Sequence, residues 1–403
     1  MSDVLSTRLQ QRLVLSGTGP SSESPVLDLD AVIFDILSRL PPKSLLRFRC
    51  VCKAWRTLIS DPYFIKEHLS RVNNSCSYSV FVKDVSTFRS IDSEALFRDD
   101  DGPVPSRELY FPVINGLKFD EIHIVGSCNG LICLRFKWCL PVIMLWNPCT
   151  RESKVLPKLH TKDLFPSSPD YYGFGYDSAT DDYKVIVGDF RYLASYKNCI
   201  LVYTVKTGSW RKLQYHGLAL LGYGCLVNGA LHWVQEEPWE AEVDSYKLVS
   251  FDLTEEKFHE IPSPYYPNNP IDRRNHLVAS AGKFRNSLAL YSRGPGSEYM
   301  MWVMKEAGVE KSWNEVIKIP KEVLHVSGDH HRHHIIWTPL CISNDGVTLI
   351  VVCAIPHHTG SFLRFLTFYY PKENRCRNLT EHCVSEAVTY VETLVSPFAR
   401  TGM

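Results

Sequence analysis

The spacing of apolar residues near the N-terminus predicts a small bundle of helices. One helix face is apolar at i, i+4, i+7, i+8 and i+11, namely Leu29, Ile33, Ile36, Leu37 and Leu40. The Pro41-Pro42 pair ends this helix, because proline has no backbone N–H to donate to the preceding turn. A second short helix is predicted after a Ser44 cap, a third over residues 53–59, and a fourth from Pro62.

The predicted bundle, residues 27–72, is too small to bury much surface by itself. It is nevertheless rich in Leu, Ile, Phe and Trp. This mismatch predicts that another protein covers part of its surface. Residues 1–26, with a Ser/Gly/Pro cluster at 16–25, are predicted to form a disordered tail.

Residues 73–403 have the pattern of short β-strands with almost no helix. Runs of β-branched and aromatic residues alternate with Gly, Asn, Asp or Pro. Examples of these runs are residues 78–83, 122–125, 131–136, 183–187 and 200–205.

A repeat appears within this region. Four times an aromatic residue is followed ten positions later by an aliphatic one, with a polar turn between them: Trp146 and Leu156, Tyr203 and Leu213, Phe251 and Ile261, Tyr369 and Leu379. Each copy predicts a hairpin. The first three copies start 57 and 48 residues apart, and a looser copy at 301–320 fills the longer interval before the fourth.

A period of about 50 residues with four short strands per unit is typical of a β-propeller. At that period, about 325 residues predict about six blades, with five or seven as alternatives. A two-sheet sandwich is the second candidate, although sandwiches rarely reach this length as one domain.

The composition reduces the number of possible partners and compartments. The chain has 44 Lys+Arg and 44 Asp+Glu, so its formal net charge is zero, which argues against nucleic acid or an anionic membrane as a partner. The longest apolar runs are too short to span a bilayer, and no signal peptide is evident. The 13 cysteines are therefore expected to be reduced, which predicts cytoplasm and/or nucleus.

Residues 27–69 resemble an F-box. The segments that carry the resemblance are 36–41 (ILSRLP), 43–49 (KSLLRFR) and 51–55 (VCKAW), in that order. One departure is Asp28-Leu29, where the family usually has Leu-Pro just before the first helix.

The rest of the chain resembles the plant F-box-associated domain, a kelch-like domain (type 1). The matching segments are 126–134 (GSCNGLICL), 145–148 (LWNP), 172–177 (YGFGYD), 181–185 (DDYKV), 227–233 (VNGALHW), 249–253 (VSFDL) and 302–304 (WVM). The double glycine of true kelch blades is absent. The fold class implied is a small all-α F-box bundle followed by an all-β, kelch-like propeller of about six blades.

This resemblance implies a substrate receptor of a Skp–cullin–F-box (SCF) ubiquitin ligase. The F-box would bind a Skp-type adaptor and, through it, cullin, while the propeller would hold an unknown target protein. No catalytic residue, cofactor or metal is required. The alternatives are an F-box scaffold acting outside the cullin ligase and a propeller enzyme, which would need paired carboxylates or metal ligands at the centre of the ring.

The resemblance also implies which F-box residues bind the adaptor. Pro41, Leu45, Val51 and Cys52 are expected to face it, with Lys53 at the rim, and Trp55 and Leu37 are expected to be mainly internal. The full predicted set is Leu29, Ile33, Ile36, Leu37, Pro41, Leu45, Leu46, Val51, Cys52, Lys53 and Trp55.

Other candidate features have plainer interpretations. The repeated aromatics Trp146, Tyr203, Trp210, Phe251 and Phe258 are expected to form blade-to-blade core. Gly173 and Gly175 are not followed by a helix, so a nucleotide site is not predicted. The histidine run at 330–334 is expected to be a solvated loop rather than a metal site. The aspartates at 99–101 are expected to form an exposed loop.

Overall fold

The structure is a computed structural model. It describes residues 29–75, 77–84, 86–97, 104–112, 119–136, 142–159, 169, 171–189, 199–214, 220, 222–236, 246–262, 280–284, 287–293, 298–306, 312–324, 333–343, 346–356, 363–379 and 384–398. The predicted N-terminal tail lies outside these residues. No helix within the described part is both long and apolar enough to cross a membrane.

Four helices form the bundle: α1 (Leu29–Ser38), α2 (Pro42–Phe48), α3 (Lys53–Ser60) and α4 (Pro62–Asn74). Pro62 is the first residue of α4, and the Asp61 carboxylate before it accepts from the next free backbone N–H groups. The prediction that Ser44 caps α2 is wrong. This helix begins at Pro42, whose fixed φ suits the first helical position.

The remaining described elements are strands, one short α-helix, α5 (Ser93–Leu96), and two short 3-10 helices, Phe119–Glu121 and Lys321–Val323. The strands are β1 (Ser79–Lys83), β2 (Phe88–Asp92), β3 (Ser106–Leu109), β4 (Ile122–Cys128), β5 (Leu131–Phe136), β6 (Val142–Trp146), β7 (Ser153–Val155), β8 (Tyr171–Asp177), β9 (Asp182–Asp189), β10 (Cys199–Thr204), β11 (Ser209–Gln214), β12 (Gly222–Tyr223), β13 (Cys225–Val227), β14 (Ala230–Glu236), β15 (Tyr246–Asp252), β16 (Phe258–Ile261), β17 (Ser280–Phe284), β18 (Ser287–Arg293), β19 (Tyr299–Met304), β20 (Trp313–Ile319), β21 (His333–Ile342), β22 (Thr348–Pro356), β23 (Leu363–Tyr370), β24 (Arg375–Asn378) and β25 (Glu386–Tyr390).

These strands form six antiparallel blades, which confirms the predicted six-bladed propeller. Blades 1 to 5 are β4–β7, β8–β11, β13–β16, β17–β20 and β21–β24, and β12 adds a parallel strand beside β8. Blade 6 joins the C-terminal β25 to β1, β2 and β3. The first strands of successive blades contact one another and line the axis of the ring. Pairing the last strand with the first closes the ring.

The predicted hairpins are the outer strand pairs of five blades. The pairs β6–β7, β10–β11, β15–β16 and β23–β24 correspond to the four regular copies, and β19–β20 to the looser one. The sequence repeat did not reveal the outer strand pair of blade 6, because α5 and the segment after it separate β2 from β3.

Aromatic side chains fill the seams between blades. Trp146 of blade 1 packs against three phenylalanines around blade 6, with ring centroids 5.8 Å from Phe81, 5.6 Å from Phe88 and 5.2 Å from Phe111. Tyr203 and Phe251 are likewise fully buried. Trp210 and Phe258 are partly buried and pack against the same clusters. The aromatic positions are therefore core, as predicted.

One seam contact recurs. The Trp210 indole donates to the carbonyl oxygen of Pro157 at 2.8 Å, and the Trp313 indole donates to that of Pro262, also at 2.8 Å. In both cases a tryptophan on the fourth strand of one blade reaches the chain just after the fourth strand of the preceding blade. These bonds tie blade 2 to blade 1 and blade 4 to blade 3.

Replacing Trp313 by Phe is expected to lower the free energy of unfolding by about 1 kcal/mol. The ring still packs, but one indole N–H donor to Pro262 is lost. Trp210→Phe is the matched variant, and its cost should be smaller because that bond is more exposed to water. Urea denaturation of both variants checks this. Equal losses of stability in the two variants, or no loss in either, would contradict the stabilising role of these two hydrogen bonds.

Glycines in β8 allow blade 2 to approach blade 3 closely. A Cβ at Gly173 would lie 2.6 Å from Leu231, and one at Gly175 would lie 2.6 Å from Leu253. These glycines therefore allow the two blades to pack closely. The Asn129-Gly130 and Asn228-Gly229 pairs have positive φ at both positions, which tight two-residue hairpin turns require.

A buried ion network crosses the same seam. The Lys184 ammonium lies 2.8 Å from the Asp177 carboxylate and 2.9 Å from that of Glu256, and it also donates to the Leu253 carbonyl. Thr254 adds a hydroxyl donor to Asp177 at 2.8 Å. Lys184 and Asp177 are almost completely buried, so each charge depends on the other for compensation.

Candidate functional site

Helix α1 has apolar residues on both of its faces. Ile33, Phe34 and Leu37 pack into the bundle, where the Phe34 ring meets the Phe64 ring edge-on at 5.3 Å between centroids. The other face carries Leu29, Val32 and Ile36, which are 69%, 37% and 54% exposed. We call these three residues the α1 stripe, since spacings of i, i+3 and i+7 place them along one side of the helix.

A second exposed apolar group lies in the α2–α3 turn, residues 49–52. Val51 is 61% exposed, and Cys52 is exposed beside it. Cys52 is also the N-cap of α3, since its sulfur accepts from the Trp55 backbone N–H at 3.4 Å. Pro41 and Lys53 are exposed as well. The capped turn holds Val51 out into solvent.

Two residues of the predicted adaptor-binding set are core residues; Leu37 was expected to be mainly internal and Leu45 to face the adaptor. Leu45 is 0% exposed and Leu37 is 1% exposed, so neither offers surface to a partner. The expectation that Leu45 faces outward is therefore corrected. Ile33, Leu46 and Trp55 are partly buried against the same core, and the Trp55 ring packs on Phe48 with centroids 5.5 Å apart. Sequence reasoning missed Val32, although it lies between Leu29 and Ile36 at helical spacing.

Charged side chains flank the α1 stripe. The Asp35 carboxylate pairs with Arg39 and with Arg71, each at 3.1 Å. A hydrogen bond from Arg39 is the main cause that lowers the pKa of Asp35, and a second from Arg71 adds to it. Exposed pairs of this kind contribute little to stability, so the stripe has a polar border whose removal would not unfold the bundle.

The bundle is seated on the propeller rather than free of it. Its core residues form one continuous hydrophobic cluster with residues of blades 1 and 2. Three polar contacts hold the edges: Asn73 donates to the Asn129 side chain at 3.3 Å, Lys43 pairs with Glu392 at 3.0 Å, and Lys66 pairs with Asp181 at 3.5 Å. The propeller of the same chain therefore covers part of the F-box surface that was predicted from the sequence to be covered by another protein.

Family comparisons match both parts of the chain. Residues 27–67 match the F-box domain, and residues 107–391 match the F-box associated beta propeller domain. The chain belongs to the F-box proteins with an associated propeller. The F-box is thus the helical bundle whose α1 stripe and α2–α3 turn are exposed, and the associated domain is the six-bladed ring.

Similar proteins in Arabidopsis thaliana are named as F-box proteins. The chain is 28% identical to an F-box/kelch-repeat protein over 391 residues, which covers 90% of this chain and 94% of the relative. It is 30% identical to F-box protein CPR1 over 318 residues, which covers 72% of each chain. A third F-box protein is 28% identical over 402 residues, covering 91% of this chain and 89% of the relative.

Two other sequence features fall wholly or mostly outside the described residues. The aspartates at 99–101 lie outside the described residues, as does most of the histidine run, of which His333 and His334 begin β21. Within the described part of the chain, no cluster of three or more His, Cys, Asp or Glu side chains is arranged to hold a metal ion.

One histidine is buried within the F-box. His68 is 1% exposed, and a ring nitrogen lies 3.0 Å from the Leu40 carbonyl oxygen, which links α4 to the end of α1. Burial is the main cause that lowers the pKa of His68 below its usual 6.5, and the nearby Arg71 lowers it further. The folded F-box thus favours the neutral ring.

The F-box is therefore expected to lose stability as the pH falls below about 6.5. In that range an unfolded chain binds a proton at His68 before the folded chain does, so acid favours unfolding. The variant His68→Phe should depend less on pH between 7 and 5. Thermal unfolding of both proteins across that range checks this, and identical pH profiles would contradict it.

Proposed function

We propose that this protein is the substrate-recognition subunit of an SCF ubiquitin ligase. Its F-box would bind a Skp-type adaptor and, through it, cullin, while its propeller would bind a target protein for ubiquitination. The observation that carries the proposal is the α1 stripe with Val51. These apolar side chains are exposed on a small domain whose other side already rests on the propeller.

The energetics favour an adaptor at this surface. Covering a Leu, Ile or Val side chain contributes about 1.5–3 kcal/mol when burial is complete. The α1 stripe and Val51 together supply several such anchors, in keeping with interfaces in which a few residues carry most of the binding energy. Leu29, Ile36, Pro41, Val51, Cys52 and Lys53 are the predicted residues that we retain, and Val32 joins them.

The proposed role is proximity rather than chemistry. Binding a target beside a ubiquitin-charged enzyme raises their effective concentration, and no reacting group is required from this chain. The seat of the F-box on the propeller supports the role, because it fixes the direction in which a bound target would face. The predicted compartment is the cytoplasm and/or nucleus, where SCF ligases act.

Co-expression of the tagged full-length chain with a Skp-type adaptor and a cullin tests the proposal. Recovery of both partners with the chain is expected. Adaptor without cullin would favour the alternative of an F-box scaffold acting outside the ligase. Failure to recover the adaptor would contradict the proposed function altogether.

A further inference from the structure

The described residues of the F-box contact one end of the propeller, and we call the opposite end the free end. The F-box contacts the end where the first strands of the blades finish, since Asn129 follows β4 and accepts from Asn73. Thr393, which follows β25, donates to the Asn129 carbonyl at that same end. At the other end, where β4 and β25 begin, His123 and Glu386 meet at 2.7 Å. A target held by the propeller can approach that end without displacing the F-box.

One arginine at the free end is held between two tyrosines. The Arg135 guanidinium carbon lies 4.9 Å from the ring centroid of Tyr172 and 5.5 Å from that of Tyr223. Its Nε also donates to the Tyr223 hydroxyl at 2.7 Å. Tyr223 belongs to β12, the extra strand on the axial side of β8, so this group of residues lies beside the mouth of the ring.

The carboxylate of Glu386, at the same end of the ring, already has two partners. One oxygen of Glu386 lies 2.7 Å from the His123 ring, and the other accepts from the Ile124 backbone N–H at 2.6 Å. Within the described residues, Arg135 forms no ion pair with an acidic side chain. Among the described residues, the partly buried guanidinium is contacted by two aromatic faces and a hydroxyl but by no carboxylate.

This arrangement suits an incoming carboxylate. Guanidinium groups bind carboxylates through two parallel hydrogen bonds, and these charge-assisted bonds are stronger than neutral ones. The two tyrosine rings restrict the side chain before binding, so little side-chain entropy remains to be lost. A partly desolvated cation gains more from an anionic partner than an exposed one does.

We infer that Arg135 binds an acidic side chain of the target protein at the free end of the propeller. Tyr172 and Tyr223 hold the guanidinium in place, and the Glu386 pair with His123 keeps the nearby acid from neutralising it. The inference rests on the proposed function, since it names the chemistry by which that receptor would recognise its target. It predicts that Asp or Glu is an obligatory feature of the bound segment.

Selection of a random 12-residue peptide library on the purified full-length chain, co-expressed with adaptor, tests the inference. Selected peptides should share one Asp or Glu position, and changing that residue to Asn or Gln should weaken binding at least about tenfold. Arg135→Met keeps the aliphatic stem between the tyrosines but removes the charge, and it should lose the same tenfold. The exposed Lys212 on the outer strand β11 supplies the matched control, Lys212→Met, which should bind like the wild type.

Folding and adaptor binding are measured in the same preparations. If Arg135→Met unfolds at the wild-type temperature and still binds the adaptor, any loss of peptide binding is caused by loss of the charge. No selected peptides, peptides without a shared acid, or equal binding to Arg135→Met would overturn the inference while leaving adaptor binding intact. Loss of the adaptor from the wild-type chain would instead count against the proposed function.

Discussion

Replacing Ile36 and Val51 together by Asp is expected to weaken binding of the Skp-type adaptor by on the order of 100-fold or more. Both side chains are over half exposed in the free chain, so the fold should tolerate the change. In the complex each would place a charge where an apolar anchor belongs, at a cost of about 1.4 kcal/mol or more per site, and each such cost weakens binding about tenfold. Isothermal titration of the adaptor into the chain measures the loss.

The matched control is Val316→Asp. Val316 is 44% exposed on β20 of blade 4, so the same chemical change is made far from the F-box. It should leave adaptor affinity unchanged. Unimpaired binding by the Ile36→Asp, Val51→Asp double variant, with a folded chain, would exclude the proposed surface.

Replacing Lys184 by Met is expected to cost about 3–5 kcal/mol of unfolding free energy. The methionine fills similar space, but the buried Asp177 keeps its negative charge without the ammonium that compensated it, whereas Glu256 still pairs with Arg211. Lys257→Met is the control, because Lys257 is mostly exposed and its contact with Glu255 is 3.6 Å long. Denaturant titration should separate the two variants clearly, and similar small costs would contradict a buried network.

Acid should weaken the same network. Burial alone would raise the pKa of Asp177, but hydrogen bonds from Lys184, Thr180 and Thr254 outweigh it and hold that pKa well below its usual range. The resulting stabilisation is complete above the unfolded-state pKa near 3.8 and is lost as the pH falls towards the lowered folded value. Lys184→Met should therefore lose less stability than wild type when both are acidified from pH 5 to pH 3.

The sequence predicted the propeller because its blades repeat a local unit. A hairpin is formed by residues close together in the chain. The ten-residue spacing from Trp146 to Leu156 therefore corresponds in the structure to the end of β6, a turn and β7. Closure of the ring is not local. The pairing of Ser79 with Tyr390 joins positions more than 300 residues apart, and no spacing rule reveals it.

The sequence was less successful at separating the exposed apolar residues of the F-box, which can bind the adaptor, from the buried ones. Helical spacing identifies apolar positions but does not tell an inward face from an outward one when both are apolar, as on α1. Leu45 and Val51 are both apolar and six residues apart, yet Leu45 is enclosed by the bundle and Val51 is held out by the capped turn. Only the packing of α2 and α3 distinguishes them. Arg135 was missed because its tyrosine partners come from another blade.

Hydrogen–deuterium exchange of the full-length chain with and without adaptor tests the central claim most directly. The account predicts slower exchange on binding in α1 and in the α2–α3 turn, and unchanged exchange in β5 and β8 at the free end of the propeller. The F-box would thus bind its adaptor while seated on the ring, with the opposite end left open. Protection confined to the free end, or absent from α1 and the turn, would contradict it.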